Sequence, residues 1–175
     1  MPEGSKDASI LIATSWQALN RAISGNKDTL VCDCTIVVLF AGFFVESNLN
    51  YIIEEMNLNQ DMRNFLNKKY PGIQDKLGWY YSKFVARSKA KNQKQLYDNG
   101  IERKLRRKFP GFAKLYRFRN DLSHGVINRT TTSLKEALEL RNQAKGIVAE
   151  LFSIASKNGY EIPRVVTYDE AIRSL

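Results

Sequence analysis

His124 is the single histidine of the chain, and it stands in the run RFRNDLSHG, residues 117–125. An imidazole titrates near neutral pH, so any acid–base mechanism built on one must use this residue. Arg119 and Asn120 precede it within the same helical run. A guanidinium bonds phosphoryl oxygens in pairs and stabilises the charge that builds on them, while a carboxamide can hold a phosphate or an imidazole. Gly125 supplies a helix stop just after His124, where the negative end of the helix dipole favours imidazolium and nearby arginines oppose it. At about 100° per residue, Asn120 and His124 lie about 40° apart, but Arg119 and His124 lie about 140° apart. One straight helix therefore does not aim both at one phosphate. Either the arginine stem reaches round, or a second subunit brings its own motif across a twofold axis. The plainer uses are a C-capping histidine on the last carbonyls and, for Arg119, an ion pair with Glu46 or Asp121.

The elements that must position these groups read as helices throughout. Residues 7–23 place Ile10, Leu11, Trp16, Leu19 and Ile23 near one face, and Asp28 can cap the next helix. Residues 28–57 are apolar nearly all round, which predicts a helix central to the core or shared with a partner subunit. Shorter helices are expected over 59–69 and 73–87, divided by Pro71-Gly72. The polar, basic segment 87–100 is the best loop candidate. Helix signals resume at Ile101, pause at Pro110-Gly111 and run on through His124. Ser133 and Glu136 form a capping box that opens a last helix to about Lys157. This predicts one all-α domain of four to six helices, with its core over about 7–158 and 159–175 as a C-terminal tail.

Charge is concentrated. From Arg63 to Arg119 there are 17 Lys/Arg against three acids, leaving ten bases and 15 acids elsewhere from totals of 27 and 18. A basic middle with mildly acidic ends predicts a polyanion-binding face, and a solvated basic surface is the bland counterpart. Arg103, Lys104, Arg106, Arg107, Lys108, Lys114 and Arg117 are the expected phosphate contacts. Tyr97, Tyr116 and Phe118 are expected either to stack bases or to serve the core. Cys32 and Cys34 are too close for an ordinary disulfide and read as small buried hydrophobes of a reducing compartment. No acidic cluster has the spacing of a metal cage. With no signal peptide in view, and with the longest apolar stretch (Ile36–Val45) too short to span a bilayer, a soluble cytoplasmic protein is expected.

The run Arg119-Asn120-Asp121-Leu122-Ser123-His124 resembles the Arg-polar-x3-His signature of the HEPN (higher eukaryotes and prokaryotes nucleotide-binding) superfamily. A long apolar helix carrying Glu46, well upstream, and a basic segment just before the motif extend the likeness over about residues 10–158. The resemblance implies a HEPN-like helical bundle that dimerises, with the site at or near the subunit interface. It also implies metal-independent RNA cleavage without a cofactor. The ribose 2′-OH attacks the adjacent phosphate and expels the 5′-oxygen, leaving a 2′,3′-cyclic phosphate. His124 would act as base or acid, Arg119 would stabilise the phosphoryl oxygens and Asn120 would hold the phosphate or imidazole. Glu46, Asp121 and Ser123 would support them. Toxins with a cognate antitoxin and phage-defence effectors are among such proteins, and so are catalytically inactive modules that bind RNA, nucleotides or a partner. Val126 stands where some toxins of the family carry a modifiable tyrosine, a departure from that pattern. A helical DNA-binding or adaptor protein is the reading from a third class.

Overall fold

Helix-forming periodicity over most of the chain leads to an all-helical architecture. The computed structural model describes residues 3–25, 27–56, 58, 60–69, 72–85, 107–123 and 133–163; side chains are described from Ile10 onward, except those of 62, 63, 65, 67, 69, 122 and 123. Among the described residues six helices and no strand occur: α1 (Glu3–Ile23), α2 (Leu30–Glu55), α3 (Gln60–Lys69), α4 (Ile73–Phe84), α5 (Phe112–Ser123) and α6 (Leu134–Lys157). The all-α bundle expected from periodicity is what forms. The expected loop over 87–100 and the helical signals from Ile101 to Arg106 lie outside the described residues.

α2 is the central element because it is apolar on almost every side, and it packs against α1, α4, α5 and α6. Val37, Val38, Ala41, Val45, Leu49 and Ile52 are buried along it, and full burial of each Val, Leu or Ile contributes about 1.5–3 kcal/mol. By length and composition the whole of Leu30–Glu55 would suffice to cross a bilayer, more than the ten-residue Ile36–Val45 stretch suggests. Its contacts with four other helices, together with buried Asp33 and Asn48 on its length, suit a core helix. Asp33 accepts from Arg21 Nε at 2.8 Å, which satisfies one oxygen of a carboxylate near the positive end of α2. The N-cap is Thr29 without a side-chain bond, so the expected Asp28 cap is displaced by one residue.

The α1 face differs from the expected one. Ile12, Ser15, Ala18, Leu19 and Ala22 are buried, whereas Ile10 is 61% and Ile23 58% exposed. Small residues at 15, 18 and 22 allow α1 to lie close on α2, and Ser15 Oγ donates to Val37 O at 3.0 Å. Close approach outweighed side-chain size. Cys34 is buried but Cys32 is exposed, because residues two apart on a helix point about 200° apart. Burial pushes the Cys34 thiol above its usual pKa, with Asp33 adding to the shift.

At the other side of the core, Tyr80 of α4 is fully buried and donates to Leu151 O of α6 at 2.9 Å. The α6 cap is where the sequence places it: Ser133 Oγ accepts from Glu136 N at 3.2 Å. The Glu136 carboxylate pairs with Lys114 of α5, so this acid ties two helices together. Gly159, at φ +84°, ends α6 in the left-handed region that a glycine enters without strain. Residues 160–163 follow without regular structure; Tyr160 packs edge-on against Phe84 and Tyr51 Oη donates to Pro163 O at 3.3 Å.

Candidate functional site

α5 turns Phe112, Leu115 and Phe118 inward, all three buried. Arg119 shares that inner side, about 20° from Phe112 and 40° from Leu115 by helical register. It meets α2 where Gly42 presents no side chain. A Cβ built on Gly42 would lie 3.1 Å from Arg119 Cβ and 3.2 Å from its Cγ. The two backbones can therefore approach closely, and the arginine stem runs along α2. The crevice at the crossing, lined by Gly42, Val45, Ile73, Phe112, Leu115 and others, leaves about 10 Å³, enough for one water at most.

Glu46, Asn120 and Phe43 all contact the guanidinium. Nη2 is bonded to Glu46 Oε2 of α2 in a pair whose side chains are about a quarter exposed. Nη1 donates to Asn120 Oδ1 at 2.9 Å. Cζ lies over the Phe43 ring, 5.2 Å from its centroid, a cation–π distance. A charged guanidinium at the edge of the core is thus paired, hydrogen-bonded and in cation–π contact while its side chain stays partly exposed. No family model, curated protein or solved structure matches this chain. The chemistry available here has to be read from this geometry and the motif.

The other expected site residues divide. Glu46 and Asn120 join Arg119, with the Asn120 amide oxygen engaged by the guanidinium. Asp121 turns to Arg117, at 3.7 Å and four residues apart, not to Arg119. Ser123 closes α5, and its side chain, together with His124, lies outside the described residues. Of the basic set, Arg103, Lys104 and Arg106 also lie outside them, as does Tyr97. Arg107 and Lys108 are exposed, and Lys108 pairs with Glu150 of α6.

Lys114 and Arg117, which pair with Glu136 and Asp121, stand on the outer side of α5. They are about 140° and 160° around the helix from Arg119. A phosphate on Arg119 is therefore not gripped by these two at the same time. Phe118 is buried and Tyr116 is partly buried, stacked on Phe112 at 6.2 Å, which assigns both to packing. Gly42 and Phe43 were not singled out by the sequence. The only local signal is that they sit in the turn before Glu46 on an apolar helix. Among the described residues no three His, Cys, Asp or Glu side chains come together as a metal site.

Proposed function

We propose that this protein is a metal-independent endoribonuclease of the HEPN type that cleaves RNA by 2′-OH attack. The observation carrying this reading is the held guanidinium: Arg119 is fixed by Glu46, Asn120 and Phe43 at a partly exposed position within the Arg-x4-His motif. A cation oriented before substrate arrives stabilises charge developing on phosphoryl oxygens without reorganising during the step. His124 removes the 2′-OH proton or protonates the departing 5′-oxygen, and the products are a 2′,3′-cyclic phosphate and a 5′-hydroxyl. Lys108, Lys114 and Arg117 would contact the RNA backbone away from the cut, each exchanging a half-buried carboxylate partner for phosphate, and exposed Arg107 would join them.

The protein would work as a cytoplasmic homodimer. Cys32, Ile36, Leu39, Phe40, Phe43, Ser47 and Asn50 form a stripe within about 100° on α2, exposed or half-buried along its length. It borders Glu46 and Arg119. A second copy seated there would bring a second motif alongside the first, which the angle between Arg119 and His124 calls for. A toxin or defence role with a cognate antitoxin belongs to the same reading.

A catalytically silent RNA- or partner-binding module is the second reading. It is favoured by the carboxylates that face Arg119, Lys108, Lys114 and Arg117. The deciding experiment incubates the purified protein with structured RNA in EDTA and analyses the ends. The ribonuclease reading expects cleavage with cyclic phosphate termini, abolished in folded His124→Ala and Arg119→Ala and blocked by a 2′-deoxy substitution at the cut site. Binding without cleavage establishes the silent module. Equal, salt-sensitive affinity for duplex DNA by a monomer rejects both.

A further inference from the structure

Arg119 has to present its N–H edge in a fixed direction if it is to meet a transferring phosphoryl group. We infer that Gly42 and Phe43 are positioning residues for Arg119, an inference that rests on the ribonuclease reading above. Gly42, Glu46 and Phe43 fall within an arc of about 100° on α2, and each addresses a different part of the same side chain. Gly42 receives the stem, Phe43 lies against the guanidinium carbon and Glu46 bonds one terminal nitrogen.

The stem is the unforgiving part. An alanine methyl at 42 would stand 3.1 Å from Arg119 Cβ and 3.2 Å from Cγ, tighter than ordinary contact. A flexible side-chain end could swing aside, but Cβ is fixed to the α5 backbone. Relief therefore requires α5 to shift or tilt by a few tenths of an ångström against α2. The crevice at the crossing leaves about 10 Å³, room for one water at most, so little open space lies beside the stem to take up that movement. The guanidinium lies several bonds further out, where a tilt grows, and hydrogen bonds weaken steeply as angles worsen.

Phe43 acts on orientation rather than place. The ring attracts the cation at 5.2 Å while Glu46 and Asn120 bond its two terminal nitrogens, and the three contacts together restrict how the guanidinium can turn. Paired N–H···O bonds to a phosphate require such a restricted guanidinium.

The test uses the full chain with Gly42→Ala, Phe43→Leu and Gly78→Ala, the last a control whose added Cβ meets nothing within 4 Å. Two readouts are taken. In RNA cleavage, Gly42→Ala and Phe43→Leu should each lower kcat about 10- to 100-fold with KM held within about threefold, while Gly78→Ala is unchanged. A general loss of stability would not produce that split in the folded fraction. In NMR without RNA, the Arg119 Nε–Hε peak, assigned by its loss in Arg119→Lys, should shift and exchange faster with water in both variants and stay put in Gly78→Ala. If the wild type cleaves nothing, the ribonuclease reading fails while the NMR arm still judges the positioning. An Arg119 peak unmoved by Gly42→Ala and Phe43→Leu overturns the inference. A Phe43→Leu variant with KM raised tenfold and kcat intact overturns it for Phe43 and assigns the ring to substrate contact. Should Gly42→Ala not fold, Phe43→Leu carries both readouts.

Discussion

Replacing Glu46 by glutamine removes one charge from the pair that anchors Arg119 while keeping size and one hydrogen-bond acceptor. Unit charges at about 4 Å attract by about 4 kcal/mol at an effective dielectric of 20. Desolvation of both groups and ordering of two long side chains offset much of that. Both side chains are about a quarter exposed, so the pair sits between a surface bridge and a buried one. We expect Glu46→Gln to cost about 1.5–3 kcal/mol in urea unfolding and to lower Tm by about 3–12 °C, given about 2–4 °C per kcal/mol for a chain of this size. A double-mutant cycle with Arg119→Met should give a coupling energy of about 1–2 kcal/mol. Because solvent reaches the pair only partly, at least half of this coupling should persist on raising salt from about 0.1 to 0.5 M. The Arg117–Asp121 pair, with the arginine side chain 71% exposed, serves as the contrast and should couple by less than about 0.5 kcal/mol at either salt. Strictly additive effects of Glu46→Gln and Arg119→Met, or a coupling that disappears with salt, would refute the held-guanidinium argument.

Tyr80→Phe removes a buried hydroxyl bond to Leu151 O and should cost about 1–1.5 kcal/mol near neutral pH. Burial holds the Tyr80 phenol above its ordinary pKa, with Tyr160 adding a smaller push, so the unfolded chain loses this proton first as pH rises. The wild-type advantage over Tyr80→Phe is therefore complete below pH about 10 and narrows above it; a difference constant from pH 8 to 11 in denaturant titrations would contradict this. Ser133→Ala deletes the acceptor for Glu136 N and should destabilise by about 1 kcal/mol, measurable as a shifted urea midpoint with unchanged slope. Glu136→Gln keeps that backbone bond but releases Lys114 from its carboxylate. On the proposed function, RNA should bind a few-fold tighter at low salt with a salt slope steeper by up to about 1, read by fluorescence anisotropy; unchanged binding would remove Lys114 from the RNA-contacting set.

Much of the helical layout was legible in local sequence. The ends of α3, α4 and α6 follow Pro71-Gly72, Ser133 and Gly159, and α2 is apolar enough to be placed at the centre from composition. Even the separation of Lys114 and Arg117 from Arg119 was available from helical register, although net charge drew all of them into one expected surface. Other features were not readable. Ile10 and Ile23 look like core residues until the small side chains at 15, 18 and 22 are seen to draw α1 onto α2 along a different line. Arg119 had two candidate acids, one of them two residues away, and the structure gives it the distant one.

By itself the sequence determined the helices among the described residues and several of their ends, because caps, turns and side-chain periodicity depend on neighbours a few positions apart. The partner of Arg119, 73 positions away on another helix, was decided only by tertiary structure. That contact depends on how far apart, and in what rotation, α2 and α5 cross. The crossing is set where a hydrogen at Gly42, in place of a methyl, allows two helices to close together.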